Sequence, residues 1–281
     1  MKIVIPVSES DQPLIKDFCN VLKHLGPYKN HDLLVVCRPS DSSFALEVLM
    51  PLKGLFKTLD FHMFESDGER GWPSGPNFYW YNTIRYLNLS KNLDPWLWME
   101  LDMTPLKFGW ADELEKEYKN CGKPCMGWTE DTTTVTKHSR RIVKLTKHLV
   151  GAAIYPPNLN KFCSTWESVW EIDTAFDVIC QWEIVPHSFH SDLFQHCFRT
   201  KEYEENRHTK IIKGKDDNNF PDGLAFDNPI NEKAVLHHGC VDGSLAKIIT
   251  SKPRIPILPA QAVFLYRKND NQQSIGSMTE I

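Results

Sequence analysis

The chain has 281 residues, 41% of them hydrophobic, enough to bury one large core, and 32 Lys and Arg against 36 Asp and Glu leave a net charge of −4. That balance excludes a global polyanion-binding surface, so any nucleic-acid contact has to be local. Apolar runs such as 262–266 fall far short of the roughly 20 residues that span a bilayer, and the first seven residues are too short and too lightly charged for a signal peptide. A soluble, cytoplasmic protein with no membrane partner is expected, and its eight scattered cysteines are expected to be reduced thiols.

In chain order, KIVIPV at 2–7 reads as a short β-branched strand, and 12–25 carries apolar residues at helical spacing: Leu14, Ile15, Phe18, Val21, Leu22 and Leu25. A second buried strand is predicted at 31–37, then a helix over 44–55 and a third strand over 59–65. Strands alternating with helices predict an α/β fold with a mainly parallel sheet flanked by helices. The loop GERGWPSGPN precedes a predicted helix at 78–89 and an aromatic strand at 96–101. Farther on, 129–148 reads as a polar segment, VGAAIYPPN at 150–158 as an apolar turn, and 167–179 as a helix with Val169, Trp170, Ile172, Phe176 and Ile179 inward. Residues 201–227 are charged and poor in apolar side chains, and 269–281 read as a frayed tail.

Three clusters could carry chemistry. Glu100 and Asp102 stand two residues apart where a strand should end, and open α/β sheets collect ligands beyond the carboxyl ends of their strands. Two carboxylates there can meet Mg²⁺ or Mn²⁺, hard cations that keep water and phosphate in their remaining positions; a solvated turn is the competing reading. HHGCVDGSL places His237, His238 and Asp242 around glycines that let backbone approach a ligand, or is simply a glycine turn with satisfied histidines. GWPSGPN, with Trp72 and Asn77, combines a rigid turn with an aromatic face and an amide, and is otherwise an ordinary tight loop.

The order KIVIPV, GWPSGPN, Glu100-Leu101-Asp102 after a tryptophan-rich strand, and HHGCVDGSL resembles GT-A glycosyltransferases over roughly residues 2–250, and among them uncharacterised ones of bacteriophage type. The resemblance implies a Rossmann-like GT-A domain over 1–281, with a nucleotide-binding half at about 1–105, an acceptor half at about 106–268 and the tail at 269–281. It further implies a hexosyl- or pentosyltransferase that takes its sugar from a nucleotide diphosphate, a UDP-sugar being weakly favoured. Glu100-Leu101-Asp102 would be a variant of the family's DxD signature, with Asp102 the first metal ligand, His238 completing the Mn²⁺ or Mg²⁺ site, and Glu100 touching sugar or ribose. Donor contacts are implied at Pro6, Val7, Ser8, Glu9, Arg38, Trp72, Asn77, Gly239 and Ser244. Val241 stands where a basic residue is expected, so Lys247 or Lys252 would have to reach the phosphates.

An inverting transfer needs a carboxylate to take the acceptor's proton. Asp173 and Asp177, at i and i+4 on the predicted 167–179 helix, are the candidates, against a reading in which they only solvate a surface helix. The stretch KHSRRIVKLTKH concentrates Arg140, Arg141 and Lys144 and could contact DNA phosphates, or form a solvated basic face or a diphosphate clamp. The phage-type resemblance implies a hydroxymethylated pyrimidine in DNA as acceptor, which places the enzyme in a host cytoplasm. The alternatives are a protein, glycan or small-molecule acceptor, or a non-catalytic nucleotide-binding module.

Overall fold

The computed structural model describes residues 1–65, 71, 73–130, 135–138, 141–144, 147–172, 174–196, 231–239 and 244–251, with the side chains of 135–138, 141–144 and Ser244 left out. β1 (Lys2–Val7), α1 (Gln12–Leu25), β2 (Tyr28–Cys37), α2 (Ser42–Leu49), β3 (Phe56–Met63), α3 (Ser74–Leu89) and β4 (Trp96–Trp98) make up the first half. β5 (Thr104–Pro105), α4 (Trp110–Asn120), β6 (Cys125–Glu130), the hairpin β7 (Val135–His138) and β8 (Arg141–Lys144), and β9 (His148–Tyr155) follow. After them come α5 (Phe176–Ile179), α6 (Gln181–Ile184), β10 (Ser188–His190), β11 (Phe194–His196), β12 (Leu236–His238) and α7 (Ser244–Thr250).

Seven strands form the main sheet in the order β10-β6-β9-β4-β1-β2-β3. The neighbours β3, β2, β1 and β4 are mutually parallel, and β9 alone of the seven runs against them. Both faces of the sheet are covered, which is why its central strands read as continuous apolar runs. Ile3, Ile5, Val7, Leu33 and Val35 point into one core with α1 and α2, while Val4, Leu34 and Val36 point into the other with Tyr79, Trp80 and Ile84 of α3. Pro13 in its first turn suits α1, since a residue there has no intrahelical acceptor for an N–H. A mixed α/β architecture with a mostly parallel central sheet is therefore present, as the alternation of elements predicts.

Two expectations are corrected. Residues 150–158 are no apolar turn: 148–155 form β9, buried along its whole length and pairing antiparallel with both β4 and β6. One glycine and two alanines, Gly151, Ala152 and Ala153, hid the strand, because they lack β-propensity. They are required by close packing, for a Cβ on Gly151 would stand 2.7 Å from Phe176 Cζ, and one on Gly127 of β6 would stand 2.8 Å from Ala153 Cβ. Nor is 167–179 one helix. It is broken into 3₁₀ turns at Thr165–Glu167 and Val169–Glu171 and the four-residue α5, because Ile172 and Ala175 are extended.

A second sheet, β11-β12-β5, positions the site. β5 begins two residues after Asp102, and β12 pairs with it antiparallel, His237 opposite Thr104. β11 lies parallel to β12 with His196 in register with His238. Among the described residues no helix is long and apolar enough to cross a membrane.

Candidate active site

The parallel strands β1, β2 and β4 end on the same side of the sheet, and each continues into a polar loop there. After β1, Ser8 donates its backbone N–H and its hydroxyl to Asp11 Oδ2, at 2.8 and 2.7 Å, and closes a turn into α1. Burial holds the Asp11 carboxyl above its ordinary range, the Ser8 hydrogen bonds oppose that, and the nearby charges of Glu100 and Asp41 add to it. After β2 the same Ser-Asp ending recurs: Arg38 donates through Nε (2.8 Å) and Nη2 (3.2 Å) to Asp41, which is buried. The Tyr79 hydroxyl lies 3.1 Å from Asp41 Oδ2 and 3.0 Å from the Val7 carbonyl, tying both strand ends to α3.

Beyond β4 lie the two acids. Glu100 Oε1 accepts from the Trp98 indole N–H at 3.1 Å, and its other oxygen faces His238 Nε2 at 3.4 Å. Asp102 Oδ1 lies 3.5 Å from the same nitrogen, yet is a buried oxygen with no hydrogen-bond partner among the described residues. One ligand atom from each of the three falls within 4.8 Å of the others, and the side chains keep 33%, 19% and 15% exposure, so the cluster opens to solvent. Its third member is 136 positions beyond Asp102 and arrives because β12 pairs with β5. Gly239, directly after β12, has φ +97°, which a residue with a Cβ rarely adopts, so the chain can turn away from the site at that point.

The electrostatics are those of crowded charges. Burial pushes the Asp102 carboxyl up to about 6, opposed by His238 and reinforced by Glu100. Burial also works against charge on Glu100, but His238 and the Trp98 indole outweigh it and leave the carboxyl below its usual value. For His238 the two acids overcome the burial penalty and raise the imidazole to about 9. Neighbouring His237 is pulled down to about 4 by burial and by His238. A protonated His238 thus offsets only part of the charge of the two carboxylates.

The remaining expected residues are distributed as follows. Pro6 and Val7 end β1, with Val7 buried, while Ser8 is half-buried and Glu9 is exposed beyond them. Asn77 is fully buried: its amide nitrogen donates toward the carbonyls of Val169, Ile172 and Thr174 at 3.0, 3.2 and 2.8 Å, and its oxygen accepts from Phe176 N–H at 2.8 Å. Asp177 accepts from the N–H groups of Gly151 (3.2 Å) and Val178 (2.9 Å), and its carboxyl is raised by burial, opposed by His148 and reinforced by Glu100. Lys247 pairs with Asp17 of α1 at 3.6 Å. Trp72, Asp173, Arg140 and Lys252 lie outside the described residues, as do the side chains of Arg141, Lys144 and Ser244. Asp11, Asp41, Tyr79 and His196 escape sequence reasoning. The repeated strand-x-x-Ser-Asp pattern, VSESD and CRPSD, was a usable signal for the first two.

No protein-family model and no curated protein matches this sequence. Solved structures do match. Mouse xyloside xylosyltransferase 1, in its apo form, aligns with 85% of this chain and 96% of its own at a TM-score of 0.51 and 10% identity. The glycosyltransferase GlyE of Streptococcus pneumoniae TIGR4 aligns with 96% of this chain and 64% of its own at a TM-score of 0.50 and 9% identity. At such identities the likeness establishes the fold, which is of the GT-A type expected from the sequence.

Proposed function

We propose that this protein is a glycosyltransferase that moves a sugar from a nucleotide diphosphate to an acceptor hydroxyl with the help of a divalent cation. The observation that carries the proposal is the gathering of Glu100, Asp102 and His238 beyond the carboxyl ends of a GT-A sheet. The cation fits these residues on two grounds: two carboxylates and an imidazole are a donor set for Mn²⁺ or Mg²⁺, and the buried Asp102 Oδ1 lacks a hydrogen-bond partner among the described residues. When bound, such an ion supplies Lewis acidity to the departing diphosphate. The ends of β1 and β2, at Ser8, Glu9 and Arg38, hold the base and ribose; the Arg38–Asp41–Tyr79 network keeps those two strand ends rigid. We assign the general base of an inverting transfer to Asp177, whose raised proton affinity suits proton abstraction.

For the acceptor, the likeness to the mouse xyloside xylosyltransferase supports a sugar hydroxyl. The basic stretch from Lys137 to Lys147 supports a second class, DNA bearing a hydroxymethylated pyrimidine. Salt-sensitive DNA binding that disappears in the Arg140→Ala, Arg141→Ala double variant marks the second class; binding indifferent to those changes removes the stretch as a DNA contact.

The decisive test is release of nucleotide from a panel of nucleotide sugars, UDP-sugars first, with Mn²⁺, Mg²⁺ or EDTA, comparing the parent with Asp102→Ala. Metal-dependent release of one nucleotide, lost in the variant, is the expected result. Thermal-shift measurements on the same samples read binding where turnover needs the acceptor, and the absence of any metal-linked shift with every donor would refute the proposal.

A further inference from the structure

His238 has two ring nitrogens, and the proposed reading uses only one. Nε2 faces Glu100 and Asp102 at 3.4 and 3.5 Å, while Nδ1 lies 2.9 Å from Nδ1 of His196 with the ring centroids 4.7 Å apart. Two facing ring nitrogens at that distance share a single proton, so one must donate and the other accept. A nitrogen that binds a cation needs its lone pair, which leaves the proton of a neutral His238 on Nδ1. His196 is then the acceptor.

The arrangement is anchored well away from the acids. β11 and β12 run parallel with His196 opposite His238, so the two side chains rise from the same face of the small sheet. Val235 and Leu236 donate backbone N–H to the Leu193 carbonyl at 2.8 and 3.1 Å, and Gln195 Oε1 accepts from Asn231 N–H at 2.7 Å. Leu193 N–H is held in turn by the Ser191 hydroxyl, which bonds Glu117 of α4. His196 therefore ends a strand anchored through Leu193 and Gln195, while His238 is followed directly by the turn at Gly239.

We infer that His196 is a positioning residue for the cation site: by accepting the Nδ1 proton of His238 it selects the tautomer and ring orientation that present Nε2 beside Glu100 and Asp102. The inference rests on the divalent-cation reading of that cluster. Removing a group that orients a ligating histidine typically weakens metal binding about 10- to 100-fold.

The test measures Mn²⁺ affinity of the full chain, by calorimetry and by the paramagnetic signal of free Mn²⁺, for the parent, His196→Ala, His196→Asn and His196→Gln. An Asn amide oxygen can occupy the position of Nδ1, whereas Gln places its polar group near that of Nε2. The expected pattern is about 10- to 100-fold weaker binding for Ala and Gln and near-parental binding for Asn, with metal-free unfolding of the Asn and Gln variants alike. The Asn and Gln pair decides the matter if the Ala variant does not fold. Equal affinity in Asn, Gln and parent overturns the positioning role and leaves the cation reading standing. A parent that binds no Mn²⁺, alone or with nucleotide, overturns both.

Discussion

Replacing Asn77 by alanine separates a structural task from a donor contact. Its amide group offers two hydrogens to three carbonyls, so the contacts at 2.8 and 3.0 Å are full hydrogen bonds and the one at 3.2 Å is shared; the oxygen adds a fourth contact at 2.8 Å. Alanine removes about three hydrogen bonds from a site with no access to water, and each buried backbone group left unpaired costs about 1–3 kcal/mol. The expected loss is about 3–9 kcal/mol, against a typical total stability of about 5–15 kcal/mol. Part of it is felt through Phe176, whose N–H is released and whose ring stacks on Trp80 at 4.5 Å. Asn77→Asp keeps the volume and the acceptor but turns a second oxygen toward the carbonyls, and is expected to be no better tolerated. Urea unfolding monitored by tryptophan fluorescence reads the difference. An alanine variant within about 1 kcal/mol of the parent that nevertheless loses nucleotide binding would refute the reasoning and return Asn77 to the donor site.

Gly151→Ala forces a Cβ to 2.7 Å from Phe176 Cζ, and Gly127→Ala one to 2.8 Å from Ala153 Cβ; each should cost about 1–3 kcal/mol, and unchanged denaturation midpoints would show the sheet to be looser than described. Mn²⁺ affinity should rise with pH: a proton on His238, held up to about 9, competes with the cation, so the dissociation constant should fall by about tenfold per unit until that value. Below about 6 the dependence should steepen as Asp102 also gains a proton, and calorimetry giving a pH-independent affinity would contradict the site. In the metal-free protein the sign reverses. His238 binds its proton more tightly folded than unfolded, so its contribution to stability is complete below about 6.5 and is lost as pH rises through about 9. Thermal unfolding in EDTA across that window should show the decline, and His238→Gln should abolish it. Asp177→Asn should lower kcat while leaving Mn²⁺-dependent nucleotide binding intact; unchanged turnover would remove Asp177 as the base.

Much of the first half was legible because its signals are local. KIVIPV and the 12–25 periodicity depend on neighbours within a few positions, and β1 and α1 have the bounds these patterns predict. The aromatic strand before Glu100 is legible for the same reason, although β4 stops at Trp98 and leaves both acids in the loop beyond it. Asn77 shows the limit: its residue type suits ligand and loop equally, and only its partners 92 to 99 positions away make the difference.

Sequence alone determined the fold class, the acidic pair and the lateness of the histidine, since alternation of elements and residue chemistry are properties of short windows. Tertiary structure decided that Gly151, Ala152 and Ala153 form a buried central strand, because small residues signal closeness only once Phe176 is seen to fill the space beside them. It also decided that Glu100 joins Asp102 and His238 and that His196 stands behind His238. Those contacts span 42 to 138 positions and exist only because β5, β12 and β11 pair in one register, a long-range backbone arrangement that no local pattern encodes.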